Sequence, residues 1–329
     1  MTSTTEAPRA APPDEHHRRR VRSSLWPVPL LAVLGWFVGL LPWLVRRSSQ
    51  GTFGTPWNPR NDLRGALLPF HHQLLMPLLV VAVMAGVFAG CAPVWNARRR
   101  RRRLALAALA TLGAVVATGW SLAQTLAPDP ELGGAGTTAS QVRLAFVALT
   151  VLGVLTGLVL GLVISLGGPA LRVVAAAPVA VVGADWLGQL VLGTVREPAP
   201  PTWLPTLLAA LSGVVVGALL AATGRSLLVV RVVAWVCALA LLALTAAALT
   251  AARYVLEALR GTPVRGADVK ELLVDGLQVF ERSLSSTLTG AGLPPSPPLT
   301  AVLVAVIVGV AGTVLVRRTL GASTGQPLD

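Results

Sequence analysis

The sequence predicts an all-α, polytopic integral membrane protein in which eight transmembrane helices form a tightly packed bundle. Of its 329 residues, 54% are hydrophobic and only 12% are charged, and the mean hydropathy is +0.70. Apolar stretches of about 18 residues or more recur along the chain, and about 20 helical residues cross a hydrocarbon core of about 30 Å. The stretches are continuous rather than alternating, which indicates helices and excludes a transmembrane barrel.

The eight predicted spans contain few charges, namely Arg143, Asp185 and Arg231. The spans are Leu25–Val45, Leu74–Trp95, Leu104–Gln124, Val142–Leu166, Val173–Val195, Trp203–Thr223, Leu227–Ala252 and Leu299–Val316. They divide the chain into a disordered basic cytoplasmic arm (1–24), a seven-helix membrane bundle (25–252), an outer loop (253–298), the eighth span (299–316) and a cytoplasmic tail (317–329).

Six consecutive arginines separate the second span from the third: Arg98, Arg99, Arg100, Arg101, Arg102 and Arg103. Short loops rich in arginine stay in the cytoplasm, and such loops also attract anionic lipid head groups. We therefore interpret this run as a topology anchor and predict a plasma-membrane protein with both termini in the cytoplasm. Arg46 and Arg47, on the predicted outer side of the first span, run against this rule. Nucleic acid is not an expected partner, because the turn is short and only Trp95 lies beside it.

Small residues recur at every fourth position in several spans. Such stripes let helix backbones approach closely, and packing of this kind drives helix association in lipid. We therefore expect a bundle built around the fourth, fifth and sixth spans. The stripes are Gly153, Gly157, Gly161 and Ser165 in the fourth, Ala176, Ala180, Ala184 and Gly188 in the fifth, and Ala209, Gly213, Gly217 and Ala221 in the sixth, with shorter pairs at Gly35 and Gly39 and at Gly86 and Gly90.

The outer loop contains one segment with helical periodicity, "DVKELLVDGLQVFERSL", from Asp268 to Leu284. Asp268 followed by Glu271 is a capping-box arrangement, which predicts that the helix begins there. An apolar stripe then falls on one face, and it consists of Val269, Leu272, Leu273, Leu277, Phe280 and Leu284. We expect this amphipathic helix to lie on the outer membrane surface or to cap the bundle, where it could also bind a protein partner.

Asp185 is the acidic residue inside the predicted spans, and it defines a candidate intramembrane polar site. An acid in the middle of a membrane helix costs about 2.5–3.5 kcal/mol on insertion scales, so such residues face a bundle interior or a wet cavity. Gln189 lies one turn away on the same face, and Arg143 lies near the outer end of the fourth span. Pro178 and Gly183 could open the helix locally. Two interpretations remain: a structural ion pair with Arg143, or a proton- or ion-coupling site.

The first outer loop, "GTFGTPWNPRNDLRG", provides a second candidate site. Asp62 between two arginines, near a tryptophan, could bind a phosphate or a sugar, and two histidines follow. Membrane glycosyltransferases with lipid-phosphate donors are similar in carrying an acidic residue in an outer loop soon after the first helix. The alternative is a Pro/Asn/Gly turn with a surface ion pair. The candidate residues are Trp57, Arg60, Asp62, Arg64, His71 and His72.

The sequence contains no zinc-protease, nucleophile-elbow, phosphate-loop or dinucleotide-binding motif, which favours a non-enzymatic protein without a cofactor or metal. We therefore expect a transporter- or permease-like membrane subunit. The alternatives are a scaffold for cell-envelope machinery and a lipid-linked glycosyl or phosphoryl transferase. Lys270 is the one lysine among 27 basic residues, and the bias toward residues with GC-rich codons suggests a bacterial source.

Overall fold

The computed structural model describes residues 25–49, 67–70, 74–96, 102–126, 137–194, 201, 203–223, 228–258, 266–289 and 297–324. Helix accounts for almost all of these residues, and no strand occurs among them. The helices are α1 (Pro27–Gly39), α2 (Leu41–Ser49), α3 (Leu75–Cys91), α4 (Arg103–Thr125), α5 (Thr137–Leu166), α6 (Pro169–Thr194), α7 (Leu204–Ala222), α8 (Leu228–Ala258), α9 (Gly266–Thr289) and α10 (Pro297–Thr324), with a 3-10 helix at Ala92–Asn96.

Seven of these helical segments are long and apolar enough to cross a membrane: Leu75–Val94, Arg103–Thr125, Arg143–Leu166, Pro169–Thr194, Leu204–Ala222, Leu228–Ala258 and Pro298–Val316. They correspond to the second through eighth predicted spans. The prediction of an all-helical, polytopic membrane bundle is therefore confirmed, with seven long apolar helices in place of eight.

The first predicted span is divided into α1 and α2 by a turn residue at Leu40. Leu40 keeps helical backbone angles, its N–H donates a hydrogen bond to the carbonyl oxygen of Trp36, and its carbonyl oxygen accepts one from the N–H of Leu44. The helix is therefore kinked here and not interrupted. Pro42 has no backbone N–H and its ring clashes with the carbonyl of Val38, so a helix cannot continue undisturbed through this position. One face of α1 packs into the bundle, where Val28 and Trp36 are completely buried, and the other face, with Leu30 and Leu34, is exposed.

The closest helix contact in the amino-terminal half joins α3 to α5. A methyl group added at Gly90 would lie 2.6 Å from the carbonyl oxygen of Leu158, and one added at Gly157 would overlap the backbone of Val83. At the end of this contact the hydroxyl of Ser165 donates a hydrogen bond to the carbonyl oxygen of Gly90, at 3.1 Å. The two helices therefore run parallel and in backbone contact, as small-residue stripes allow.

An equivalent contact in the carboxy-terminal half joins α7 to α10. A methyl group at Gly217 would lie 2.7 Å from the carbonyl oxygen of Ala305, and one at Gly312 would lie 2.7 Å from the Cβ of Ala221. The stripes of the fourth and sixth spans thus pack against the second and eighth spans. The small-residue stripes predicted close packing, and the structure shows which helices are the partners.

The two ends of the bundle differ in charge. Arg103, Arg172 and Arg231 lie where α4, α6 and α8 begin, and we call this the arginine end. At the opposite end, called the α9 end, the last turns of α8 pack against α9, where a methyl group at Gly276 would lie 2.5 Å from Cγ2 of Val255. The loop helix is confirmed, but it begins at Gly266 and not at the predicted cap, Asp268.

The predicted apolar stripe of α9 is divided between two environments. Leu272, Phe280 and Leu284 are partly buried, whereas Leu273 and Leu277 are exposed. Two small residues of α9, Gly276 and Thr287, are buried. Their small size allows α9 to approach the neighbouring helices closely, which larger residues would prevent. The side chain of Val269 lies outside the described part of the structure.

Candidate intramembrane site

Asp185 lies in the second half of α6, toward the α9 end, and forms an ion pair with Arg253 of α8. The guanidinium Nη2 of Arg253 donates a hydrogen bond to Oδ1 of the carboxylate. The side chain of Asp185 is only 16% exposed, whereas that of Arg253 is 49% exposed. The long arginine side chain thus reaches from the end of α8 back to a mostly buried acid, which is a common way of satisfying a charge within a membrane helix.

The rest of the carboxylate has a sparse environment. Gln189, one helical turn after Asp185, contacts the carboxylate. The second oxygen, Oδ2, is buried and has no hydrogen-bond partner among the described residues. A buried carboxylate oxygen without a donor is unfavourable, so this side of Asp185 can accept a further hydrogen, from a water molecule or from a bound proton.

Arg253 was not among the residues that the sequence analysis selected. The structure brings Asp185 together with Gln189, as predicted, but its ion pair is with Arg253 where we expected Arg143. Arg143 is half-buried near the start of α5, and its membership of this site remains a prediction. The missed signal was the helix order: α6 and α8 run in the same direction, so an arginine near the end of α8 lies at the same end of the bundle as Asp185.

The kink between α1 and α2 lies next to the ion pair. The indole N–H of Trp186, the residue after Asp185, donates a hydrogen bond of 2.8 Å to the carbonyl oxygen of Gly39. Gly39 ends α1 and is itself in contact with the backbone of Ala85 in α3. The position of α6 is therefore coupled to the kink between α1 and α2.

The face of α6 opposite Asp185 borders an apolar groove of about 230 Å3 between α3, α6 and α7. Val179, Gly183 and Leu187 line its α6 side, and Leu211 and Val215 of α7, both exposed at the bundle surface, lie on its rim. In this region α6 contacts its neighbours through side chains, because the stripe of the fifth span contains mostly alanine where α5 and α7 contain glycine. One helix thus has an ion pair on one face and a groove on the other.

The arginine end has a different chemistry. Arg231 lies over the ring of Trp235, 5.6 Å from its centroid, and donates a hydrogen bond of 3.0 Å to Thr313 of α10. Arg102 and Arg103 lie at the start of α4, where the positive end of the helix dipole disfavours cations. Their presence there is thus not explained by helix stability. Four members of the topology anchor, 98–101, lie outside the described residues.

Residues 51–66 and 71–73, which include the first outer loop, lie outside the described part of the structure. All six of its candidate residues fall there, and a lipid-linked transferase site at Asp62 remains a prediction. Among the described residues, no group of three or more His, Cys, Asp or Glu side chains is arranged to hold a metal ion. Cys91 and Cys237 are free thiols on different helices.

Comparison with known proteins gives no identification. No protein-family model matches the chain, and no curated protein or solved structure shows significant similarity to it. The geometry of the bundle is therefore the basis for a functional proposal.

Proposed function

We propose that this protein is a transporter- or permease-like membrane subunit in which Asp185 and Arg253 form the functional intramembrane site. The observation that carries the proposal is the ion pair between these two residues, which joins the middle of α6 to the end of α8. Ionisable residues within membrane helices are costly and are typical of ion and substrate pathways. A purely structural contact between α6 and α8 would need no such charge.

Two further features support transport over a rigid structural role. First, the helix formed by α1 and α2 is kinked beside the ion pair, next to Pro42. Second, α6 contains Pro178 in its interior, and an internal proline allows a helix to bend. The bendable helix α6 contacts both the ion-pair partner in α8 and the kink at Gly39.

We also propose that the protein resides in the plasma membrane, with the arginine end and both termini in the cytoplasm. The positively charged arginine end supports this orientation, as does the expected attraction of Arg98–Arg103 to anionic lipid head groups. Reporter fusions test the topology. A fusion after Gly325 should report cytoplasm, and fusions at Gly134 and Pro295 should report the opposite side. A cytoplasmic signal at Pro295 would contradict the proposed orientation.

Ligand-dependent stability followed by flux tests the transport function. A solute or ion that binds the folded protein raises its melting temperature by mass action, so the purified protein is first screened by thermal shift against ions and small metabolites. Ligands that stabilise it are then tested for uptake into proteoliposomes. We expect uptake by the wild-type chain and by Glu257→Gln, an exposed acid on the same helix as Arg253, and loss of uptake in Asp185→Asn. Stabilisation without uptake would exclude a transporter.

A scaffold for envelope proteins is the second candidate, and the exposed ridge of α9 favours it. Leu273, Leu277 and Leu288 lie along one side of α9 and are 60%, 66% and 76% exposed. Such a ridge fits a protein partner or the membrane surface. Copurification of envelope proteins with the wild-type chain but not with Leu277→Asp, with Asp275→Lys as the matched control, would support the scaffold.

A further inference from the structure

We propose that the coupling ion is a proton and that it binds to the free oxygen of Asp185, releasing Arg253. This inference rests on the proposed function for its physiological purpose, but its physical basis is the geometry of the ion pair. Arg253 occupies Oδ1, while Oδ2 is buried and lacks a partner among the described residues. Oδ2 is thus the position at which a hydrogen would be added.

The surrounding groups favour a proton over a metal cation. A sodium or divalent ion requires several oxygen ligands, whereas one oxygen of Asp185 already bonds to a guanidinium and only the other is free of a partner among the described residues. The seven spans, as described, contain two acidic residues, Asp185 and Glu257, and Glu257 is exposed in the last turn of α8. A proton needs only one oxygen, and Oδ2 provides it.

The other charged or titratable groups on the elements that pack against α6 are mainly cationic. They are Arg231, Cys237, Arg253, Tyr254 and Glu257 on α8, Arg46 on α2, Arg143 on α5 and Cys91 on α3, and the described residues of α7 contain none. Glu257 is a second carboxylate, one helical turn after Arg253, but it is exposed at the end of α8, whereas Asp185 is mostly buried. A Glu257→Gln variant therefore separates a change of charge at Asp185 from one at Glu257.

The step is a simple proton transfer. A hydronium ion donates a proton to Oδ2, the new O–H bond forms and a water molecule is released, so the carboxylate becomes a neutral acid. Its attraction for Arg253 is then lost, and Arg253 can turn toward water because its side chain is already half exposed. The contact between α6 and α8 is left to apolar side chains such as Val182, Trp186 and Leu249. Return of the proton to water restores the pair.

Infrared spectroscopy of the full chain in lipid nanodiscs tests the proposal without knowledge of the substrate. As the pH falls from about pH 9 to about pH 4, ordinary carboxylates begin to protonate at the acidic end of the range. The measured quantity is therefore the carbonyl stretching band of a protonated carboxylic acid that remains after the spectrum of Asp185→Asn is subtracted. This difference band should grow as the pH falls and should be unchanged in Glu257→Gln. Replacing potassium by sodium should not move its midpoint. No Asp185-dependent band in this range, or a midpoint that follows sodium, would overturn the proposal.

A distance measurement then tests the release of Arg253. Spin labels at Val191 of α6 and Leu244 of α8, in a chain with Cys91→Ala and Cys237→Ala, should report an acid-induced change in the distance between the helices. The same pair in Asp185→Asn should show the acid distance at every pH. A pH-independent distance in the wild-type background would contradict the proposed release of Arg253. If Asp185→Asn fails to fold, Asp185→Glu replaces it, and the infrared band should then shift in position.

The outcomes distinguish this inference from the transport proposal. Uptake that requires a sodium gradient, with no titration of Asp185, would reject the proton and retain the transporter. Titration of Asp185 and an acid-induced change in the α6–α8 distance, without uptake of any stabilising ligand, would support proton binding with release of Arg253 and reject transport.

Discussion

The two glycine-lined helix pairs and the α6–α8 interface hold the bundle together in different ways. In the pairs α3–α5 and α7–α10 the backbones touch, and added methyl groups at Gly90 and Gly217 would lie 2.6 Å and 2.7 Å from carbonyl oxygens of the neighbouring helix. Between α6 and α8 the contact consists of larger side chains and one ion pair, Asp185–Arg253.

The difference indicates which parts of the bundle can move. Backbone contact leaves no side chain that could change rotamer and accommodate a shift, so each glycine-lined pair should behave as one body. The contacts of α6 can be rearranged, because side chains adapt and an ion pair can be broken by a change of charge. We therefore expect α6 to be the mobile helix between two rigid pairs.

The largest effect is expected for Gly157→Leu. A side chain at this position collides with the backbone of Val83 in α3, and overpacking a tight contact costs about 1–3 kcal/mol or more. We expect the loss to exceed about 3 kcal/mol here, because backbone cannot yield as a side chain can, and the folded yield should fall sharply. Thermal unfolding of the protein in nanodiscs measures it.

Gly119→Leu is the matched control, since Gly119 lies on α4 with nothing within 4 Å of an added methyl group. This variant should fold with nearly normal stability. Equal losses in the two variants would mean that glycine matters for the helix itself and not for the contact with α3.

Arg253→Gln should be the next most harmful change. It leaves the carboxylate of Asp185 without its cation, and breaking a fully buried ion pair costs about 3–5 kcal/mol. We expect about 2 kcal/mol, because Arg253 is half exposed and water already weakens the pair. Asp185→Asn should be milder, since the freed arginine can turn to water. A greater loss in Asp185→Asn would contradict the geometry of the pair.

The sequence was sufficient to predict the helical class, seven of the spans and the place of Asp185 within one of them. Continuous apolar runs of the required length must form helices in lipid. An acidic residue within such a run is easily recognised. It was insufficient for two features that depend on tertiary contacts. The neighbours of each helix were not predicted, because small residues indicate close packing but not the partner. Arg253 was overlooked, because a residue at the end of an apolar run gives no sign that it reaches back into the bundle.

Trp186→Phe should cause a smaller loss of stability. It tests the hydrogen bond between α6 and the kink between α1 and α2. The change removes the indole N–H that donates to the carbonyl oxygen of Gly39, and an unsatisfied buried acceptor costs about 1–3 kcal/mol. Trp120→Phe removes an indole from an exposed position on α4 and should be nearly neutral. If the two variants melt at the same temperature, the hydrogen bond between Trp186 and Gly39 does not stabilise the contact of α6 with α1.

The smallest effect is expected for Gly183→Ala on α6, and it tests the comparison most directly. An added methyl group at Gly183 meets only the side chain of Met84, at 3.7 Å from its terminal carbon, which is ordinary van der Waals contact. Alanine is also a better helix former than glycine by about 1 kcal/mol. Thermal unfolding should therefore show unchanged or slightly raised stability, by up to about 1 kcal/mol.

Gly217→Ala makes the same chemical change on α7, where the new methyl group would lie 2.7 Å from the carbonyl oxygen of Ala305. That variant should lose about 1–3 kcal/mol. A similar loss in both variants would mean that α6 is packed as closely as the glycine-lined pairs, and α6 could not then be the mobile helix. With the expected difference in stability, Gly183→Ala should still reduce the acid-induced change in the α6–α8 spin-label distance, because a helix that moves by bending near Pro178 becomes stiffer when its glycine is replaced.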